Sequence, residues 1–397
     1  MPLDRRQFLN IALGAACSAA ALPAMTPMSF ASAPGDRRLV TIVLRGAMDG
    51  LDVVQPYGDP LLRKLRPTLS SGPEAGALDL DGFYALHPAL APLMPMWQAG
   101  ELGFAQAVST PYRDKRSHFD GQDILEAGIG ADLSAAHPAG GWLNRLLPLI
   151  PGAVFETAFA VGTDELAILQ GENPYASWAP EARFSLSSQA QILLRALYER
   201  DAPFHNAAEA AITISAEAEA EGTGMGKAGG KRPGPVEALA SFAAARLNGT
   251  TRIAAFSLTG WDTHRGQIRA LARPLDDLAV ALNVLKRDLG ANWENTVVLA
   301  MTEFGRTARE NGTGGTDHGT GGLMVMAGGA VRGGRVYGDW PGLADENLYA
   351  GRDLMPLMDV RSYAGAAIAG QFGVPARALE EVIFPGLRLE KMPGILL

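Results

Sequence analysis

Short apolar runs recur along the chain, and each one ends at a polar loop. Leu39–Leu44 (LVTIVL) stops at Arg45-Gly46, and Leu102–Val108 (LGFAQAV), Arg252–Leu258 (RIAAFSL), Thr296–Met301 (TVVLAM) and Leu323–Ala327 (LMVMA) repeat the pattern. Runs this short, with no polar alternation, are what strands buried on both faces look like. Amphipathic stretches such as Pro274–Leu289 lie between them. Strands alternating with helices predict an α/β fold, a three-layer sandwich with a mostly parallel central sheet. In such sheets ligands bind beyond the carboxyl ends of the strands, which is where each polar motif of this chain falls.

Residues 187–248 depart from the pattern. They are rich in Ala and Glu at helical spacing and are interrupted at 221–235 (EGTGMGKAGGKRPGP), whose Gly, Lys and Pro predict a mobile loop. The reading is a single domain over 34–397 with a helical insertion at about 187–248. No internal repeat or heptad array is visible.

The first 33 residues read as an address. Asp4-Arg5-Arg6-Gln7-Phe8-Leu9 precedes an apolar stretch from Ile11 to Leu22, then Pro23 and Pro27, then small residues around Ala31-Ser32-Ala33. The order resembles a twin-arginine export signal, with cleavage near Ala31 or Ala33, and implies the twin-arginine translocase as a transient partner and the periplasm as destination. The apolar run falls short of the roughly 20 residues that span a bilayer, so no stable membrane span is expected after cleavage. The one cysteine, Cys17, lies inside this segment, which leaves the rest of the chain without a disulfide or a thiolate metal site.

Composition narrows the function. With 397 residues and 47% hydrophobic content the chain can bury a large core. A formal net charge of −8 without any basic stretch argues against nucleic acid as a partner, because nothing neutralises phosphates along a backbone.

The candidate chemistry sits after the strand runs. Asp262-Thr-His264 places an imidazole and a hard oxygen in one loop, a pairing suited to zinc, manganese or a similar divalent ion; alone it is equally a hydrogen-bonded turn. Asp317-His318 in a Gly-rich loop reads the same way. Glu303 and Arg306 form either a strand-end salt bridge or, respectively, a group facing the site and a guanidinium fork for an anion. Ser117, in Arg116-Ser-His118-Phe-Asp120, is a helix N-cap or a nucleophile at a helix N-terminus. Arg45, Asp49 and Asp52 end the first strand, with Asp49 the better placed to ligate. His87, His137 and His205 read as structural or surface residues.

Taken together, Leu44-Arg-Gly-Ala-Met-Asp-Gly-Leu51, Arg116-Ser-His-Phe-Asp120, Gly260-Trp-Asp-Thr-His264, Thr302-Glu-Phe-Gly-Arg-Thr307, Thr316-Asp-His-Gly319 and Gly333-Gly-Arg-Val-Tyr-Gly-Asp-Trp340 resemble the exported bacterial family of domain of unknown function 1501. The resemblance runs from about Arg38 to Pro385. That family is in turn similar to the alkaline phosphatase and sulfatase superfamily. The resemblance implies an alkaline phosphatase-like fold, Asp49 as a first-strand metal ligand and Ser117 at the nucleophile position. It further implies Asp262, His264 and His318 as ligands of one metal, with Glu303 at the end of the strand where a second metal binds. Asp317 is ligand or support, and His118 completes the second site. Asp262 and His264 are more closely spaced than their counterparts in alkaline phosphatases, and the Asp-His pair follows Glu303 in a loop.

The function these residues imply is a periplasmic hydrolase of phosphate or sulfate esters, dependent on divalent metal (zinc, manganese, calcium or magnesium). Ser117 or a metal-bound water is the expected nucleophile, and Arg306 or Arg45 the expected holder of a small anionic ester. The main rival is a non-catalytic binding or assembly protein on the same scaffold with a degenerate metal site. A metal-free hydrolase using Ser117 with His118 or His318 lacks the Gly-x-Ser-x-Gly elbow.

Overall fold

The computed structural model describes residues 35–69, 72–113, 115–131, 139–178, 233–389 and 392–397. The expected export signal, His137, His205 and residues 187–232 of the expected insertion, with nearly all of its mobile loop, lie outside the described residues.

β1 (Arg38–Leu44) leads into three two-residue strands, β2 (Val54–Gln55), β3 (Leu78–Asp79) and β4 (Ala85–Leu86), which pair as a small separate sheet. The remaining strands are β5 (Leu102–Ser109), β6 (Ala158–Val161), β7 (Ala176–Trp178), β8 (Ile253–Leu258), β9 (Thr296–Met301), β10 (Gly322–Ala327), β11 (Arg335–Tyr337) and β12 (Met358–Asp359). With β1 they form a nine-stranded sheet in the order β11-β5-β10-β9-β1-β8-β6-β7, and β12 also pairs with β5. β1 lies between β8 and β9, parallel to both, with Leu39 opposite Ile253 on one side and Val297 on the other. All seven of its residues are buried.

Successive residues of these strands enter two different cores. Val40, Ile42, Leu44, Ala254, Phe256 and Val298 pack with residues of the helices Pro235–Asn248 and Ala272–Leu289. Leu39, Val43, Ala255, Val297 and Leu299 pack with residues of Trp142–Leu146 and Val360–Phe372 on the opposite face. This is the three-layer sandwich that the unbroken apolar runs predict. In Ala272–Leu289 the buried Leu275, Leu278, Leu282, Leu285 and Leu289 recur every three or four residues and form the stripe facing the sheet. Truncating one of these leucines to Ala costs about 2–5 kcal/mol.

Two features differ from the sequence-based expectation. β10 runs antiparallel to both β9 and β5, while the other strands run with β1. Burial on both faces gives the same apolar run in either direction, so composition carries no sign of the reversal. It has a positional consequence. An antiparallel return needs no crossover helix, so the chain between β9 and β10 stays at the carboxyl end of β9, beside the ends of β1 and β8. The second feature is the helix Pro235–Asn248, which falls within the expected insertion. Its Ala240, Ala243, Ala244 and Leu247 are buried against Ala272–Leu289 and strands β6 and β8, so it belongs to the layer that covers the sheet.

Among the described residues, no helix is long and apolar enough to cross a membrane.

Candidate metal centre

Three loops meet at this carboxyl edge. After β8 the indole of Trp261 is buried and its Nε1 donates to Leu258 O at 3.1 Å, which turns the chain and presents Asp262-Thr-His264. After β9 the loop to β10 carries Glu303, Arg306, Asp317 and His318. After β5 the helix His118–Ala127 begins, with Ser117 as N-cap accepting from Asp120 N at 3.4 Å. Gly46, after β1, lets the loops close. Its φ is +120°, and a Cβ there would lie 2.6 Å from Asp262 N. Gly315 has a similar role, since its Cβ would stand 2.4 Å from the backbone of His264.

The loops bring together His118, Asp262, His264 and His318. Asp262 Oδ1 lies 3.5 Å from His118 Nε2, 3.0 Å from His264 Nε2 and 3.2 Å from His318 Nε2. His264 Nε2 and His318 Nε2 are 2.9 Å apart. Donor atoms of His118, Asp262 and His318 all fall within 4.8 Å of one another.

The other ring nitrogens decide what these atoms are. His118 Nδ1 is 2.7 Å from Glu303 Oε1, His318 Nδ1 is 2.9 Å from the Arg116 carbonyl, and His264 Nδ1 is 3.4 Å from Asp317 Oδ1. A carbonyl or carboxylate oxygen only accepts, so each Nδ1 is placed to donate, and a ring that does so in its neutral form presents an unprotonated Nε2 to the others. Three lone pairs and a carboxylate oxygen thus face one another. His118 Nε2 is buried and has no hydrogen-bond partner among the described residues. A proton relieves one such pair; a divalent cation relieves all of them. The donor set of imidazole nitrogens and one carboxylate suits zinc or a similar first-row ion, and acceptors behind the rings are the usual support of ligating histidines. The residues therefore fit a metal.

Charge is arranged to match. Burial alone would raise the Asp262 carboxyl, but the Arg306 hydrogen bond and charge, with His318 and His264, bring it down to about 2. Arg306 is itself buried. Its Nη2 donates to Asp262 Oδ1 at 2.6 Å and to Gly46 O and Trp261 O, while Nε and Nη1 donate to Ala47 O and Thr316 O. Glu303 is also held ionised: burial opposes it, but bonds from His118, its own backbone and Gln122 prevail. Hydrogen bonding to Glu303 raises His118, against burial, while burial lowers His318.

Several residues expected at the metal stand elsewhere. Asp49 is buried, caps the short helix Gly50–Val53 and is gripped by Arg66 at 2.7 and 3.0 Å. Glu303 faces the back of His118 and accepts from Gly46 N and Thr302 Oγ1. Asp317 stands behind His264 and accepts from Asn311 at 3.0 Å. His118, expected to complete a second site, joins the same cluster as His264 and His318. Arg306 grips Asp262 and backbone carbonyls, and Arg45 is engaged with Glu126 and Gln122. Ser117 precedes His118 at the helix start. Asp52 lies beside Asp49, and His87 caps a helical turn, with burial lowering it to about 4.

Residues that the sequence reading passes over include Arg66, Gln122, Gln267, Thr263, Thr316 and the carbonyl of Arg116. Only Arg116 carries a backbone sign: its φ of +54° is unusual for a side-chain-bearing residue, and that conformation aims its carbonyl at His318. Its guanidinium reaches the buried Asp353 at 3.1 Å, as does that of Arg352 at 2.7 Å, and Arg352 also donates to His318 O.

A family model described as a protein of unknown function, DUF1501, matches residues 128–383. No curated protein matches the chain. Among solved structures, a protein in the alkaline phosphatase superfamily from Vibrio parahaemolyticus is 12% identical, with 75% of this chain and 61% of that one covered and a TM-score of 0.33. The chain thus spans less than two thirds of the length of that protein. The C-terminal periplasmic domain of EcEptC from Escherichia coli, in complex with Zn, is 10% identical over 75% of this chain and 74% of its own, with a TM-score of 0.34. Ps i-CgsB is 11% identical over 87% and 73%, with a TM-score of 0.40.

Proposed function

The chain belongs to the DUF1501 family of proteins of unknown function, and we propose that it is a metal-dependent hydrolase of phosphate or sulfate esters acting in the periplasm. The observation that carries the reading is the convergence of three Nδ1-anchored imidazoles and Asp262 on one point. His118, Asp262, His264 and His318 would hold a single divalent ion. When bound, such an ion supplies Lewis-acid stabilisation of charge developing on ester oxygens.

The chain's own groups prepare that site. Arg306 keeps Asp262 ionised and in place. Glu303 orients His118 and holds the Nδ1 proton between them. Because Arg306 is committed to backbone carbonyls and Asp262, contact with an anionic ester passes to the partly exposed Arg116 and Arg352 beside His318. Ser117 Oγ, at the start of a ten-residue helix and next to His118, is the nucleophile of this reading; the amides of that helix N-terminus favour negative charge nearby.

The test is metal content and turnover together. Full-length protein purified without chelator should carry about one zinc or manganese per chain and hydrolyse at least one of a panel of chromogenic phosphate monoesters, diesters and sulfates. His264→Ala combined with His318→Ala should lose both. No metal in the wild type, and no hydrolysis after reconstitution, would sink the proposal.

One observation favours a second reading, a binding or assembly protein. Asp49 and Glu303, the carboxylates that a second metal would need, are each occupied by buried partners. Stoichiometric metal with no turnover on the whole panel would select it.

A further inference from the structure

Behind the histidines lies a second polar assembly that the proposed chemistry does not use. Gln267, the first residue of a short helix after the Asp262 loop, has no solvent exposure. Its Nε2 donates to Asp49 Oδ2 at 2.6 Å and to Asp52 Oδ2 at 2.8 Å. Its Oε1 accepts from Thr263 Oγ1 at 2.9 Å and from Thr316 Oγ1 at 2.8 Å. Both amide hydrogens and both carbonyl lone pairs are therefore used. The carboxylates accept only, so the amide cannot be turned round without setting its oxygen against theirs.

The positions of the two threonines give this network its meaning. Thr263 lies between Asp262 and His264, and Thr316 two residues before His318. Their backbones also meet, Thr316 N donating to Thr263 O at 3.3 Å. On the far side, Asp49 is fixed by Arg66, which also donates to Thr307 O and Ala308 O in the loop that carries His318. A side chain with two donors at one atom and two acceptor sites at the other is what such a junction requires. Glu would set a third carboxylate against Asp49 and Asp52 in one buried space, and Met would fill the volume with no bond to either side.

We infer that Gln267 is a positioning residue of the metal centre: it ties the loop of Asp262 and His264 to the loop of His318 and anchors both to the Asp49–Asp52 pair. The inference rests on the metal-centre reading. Its energetic logic is that of preorganisation, since ligands already held at one point need no ordering when the ion arrives.

The experiment compares zinc affinity, by competition with a chromogenic chelator, across full-length wild type, Gln267→Met, Thr263→Val, Thr316→Val and the matching Thr→Ser variants. Each is also melted without metal. Gln267→Met is expected to bind zinc about 10–100-fold more weakly. Each Thr→Val should weaken zinc binding of the folded protein and lower the metal-free melting temperature, since it strips a donor from a buried carbonyl, and each Thr→Ser should restore both. A purely structural role would move the melting temperature and leave the affinity of the folded protein unchanged. If Gln267→Met does not fold, the contrast between Val and Ser decides. Wild-type affinity in the folded Val variants would overturn the inference while leaving the metal centre intact. A wild type that binds neither zinc nor manganese would overturn the metal centre and this inference with it.

Discussion

Glu303 Oε1 stands 2.7 Å from His118 Nδ1, and the carboxylate has no exposure to solvent. That one contact decides which nitrogen of His118 faces the cluster. It also places an acid that resembles a ligand in sequence behind a ring of the His118, Asp262 and His318 group that could hold a metal.

Replacing Glu303 with Gln keeps the shape and removes the charge. The new NH₂ also meets donors from Gly46, Gln122 or Thr302. The expected result is about tenfold weaker zinc binding. With free zinc at a hundred times the wild-type Kd, wild type gains about 2.7 kcal/mol of stability and the variant about 1.4 kcal/mol. Urea unfolding with and without zinc measures both.

Arg306→Lys keeps a positive charge but loses the fork that serves Asp262 and four backbone carbonyls at once. Each buried carbonyl left without a donor costs about 1–3 kcal/mol. Stability of the metal-free protein should fall by more than about 3 kcal/mol, seen as a lower urea midpoint with an unchanged slope. A loss below about 1 kcal/mol would show that Arg306 does not organise these loops.

Gly46 and Gly266 both have positive φ, yet they predict different outcomes. Ala at Gly46 meets Asp262 N at 2.6 Å in a conformation that side-chain-bearing residues avoid, whereas Gly266, at φ +54°, has nothing within 4 Å. Gly266→Ala should cost about 1–2 kcal/mol and leave zinc affinity unchanged. Gly46→Ala should cost more than about 3 kcal/mol and weaken zinc binding, because Asp262 must move.

Stability should carry a pH signature from the buried acid pair. Burial, then the neighbouring Asp49, push Asp52 up to about 6 from an ordinary value of 3.8, despite hydrogen bonds from Gln267 and Gln55. The folded state therefore holds a proton that the unfolded state has already released between roughly pH 4 and 6. The stabilisation tied to that proton is full below pH 4 and is lost as pH rises through 6, by an amount on the order of 3 kcal/mol. The stability of wild type relative to Asp52→Asn, from urea unfolding at pH 4 to 7.5, should fall across that window. A flat difference would mean that Asp52 stays ionised throughout.

Local pattern alone determined a good deal of this protein. Five buried strands and the long amphipathic helix are legible because an apolar run, or a stripe at helical spacing, records burial directly. Asp262, His264 and His318 stand out in sequence as candidate ligands because each falls in a loop beyond a strand end, and the fold brings their side chains together. The short strands β6, β7, β11 and β12 have too few residues to show a period, and the reversal of β10 leaves no compositional mark, since both directions bury the same side chains. Tertiary structure alone decided the roles at the centre. Asp49, Glu303 and Asp317 are all carboxylates after strands, and nothing local separates a ligand from a support. Partners remote in sequence separate them: Arg66 and Gln267 claim Asp49, His118 claims Glu303, and Asn311 and His264 claim Asp317. A carboxylate's function depends on what stands within hydrogen-bond reach, and that distance exists only once the chain has folded.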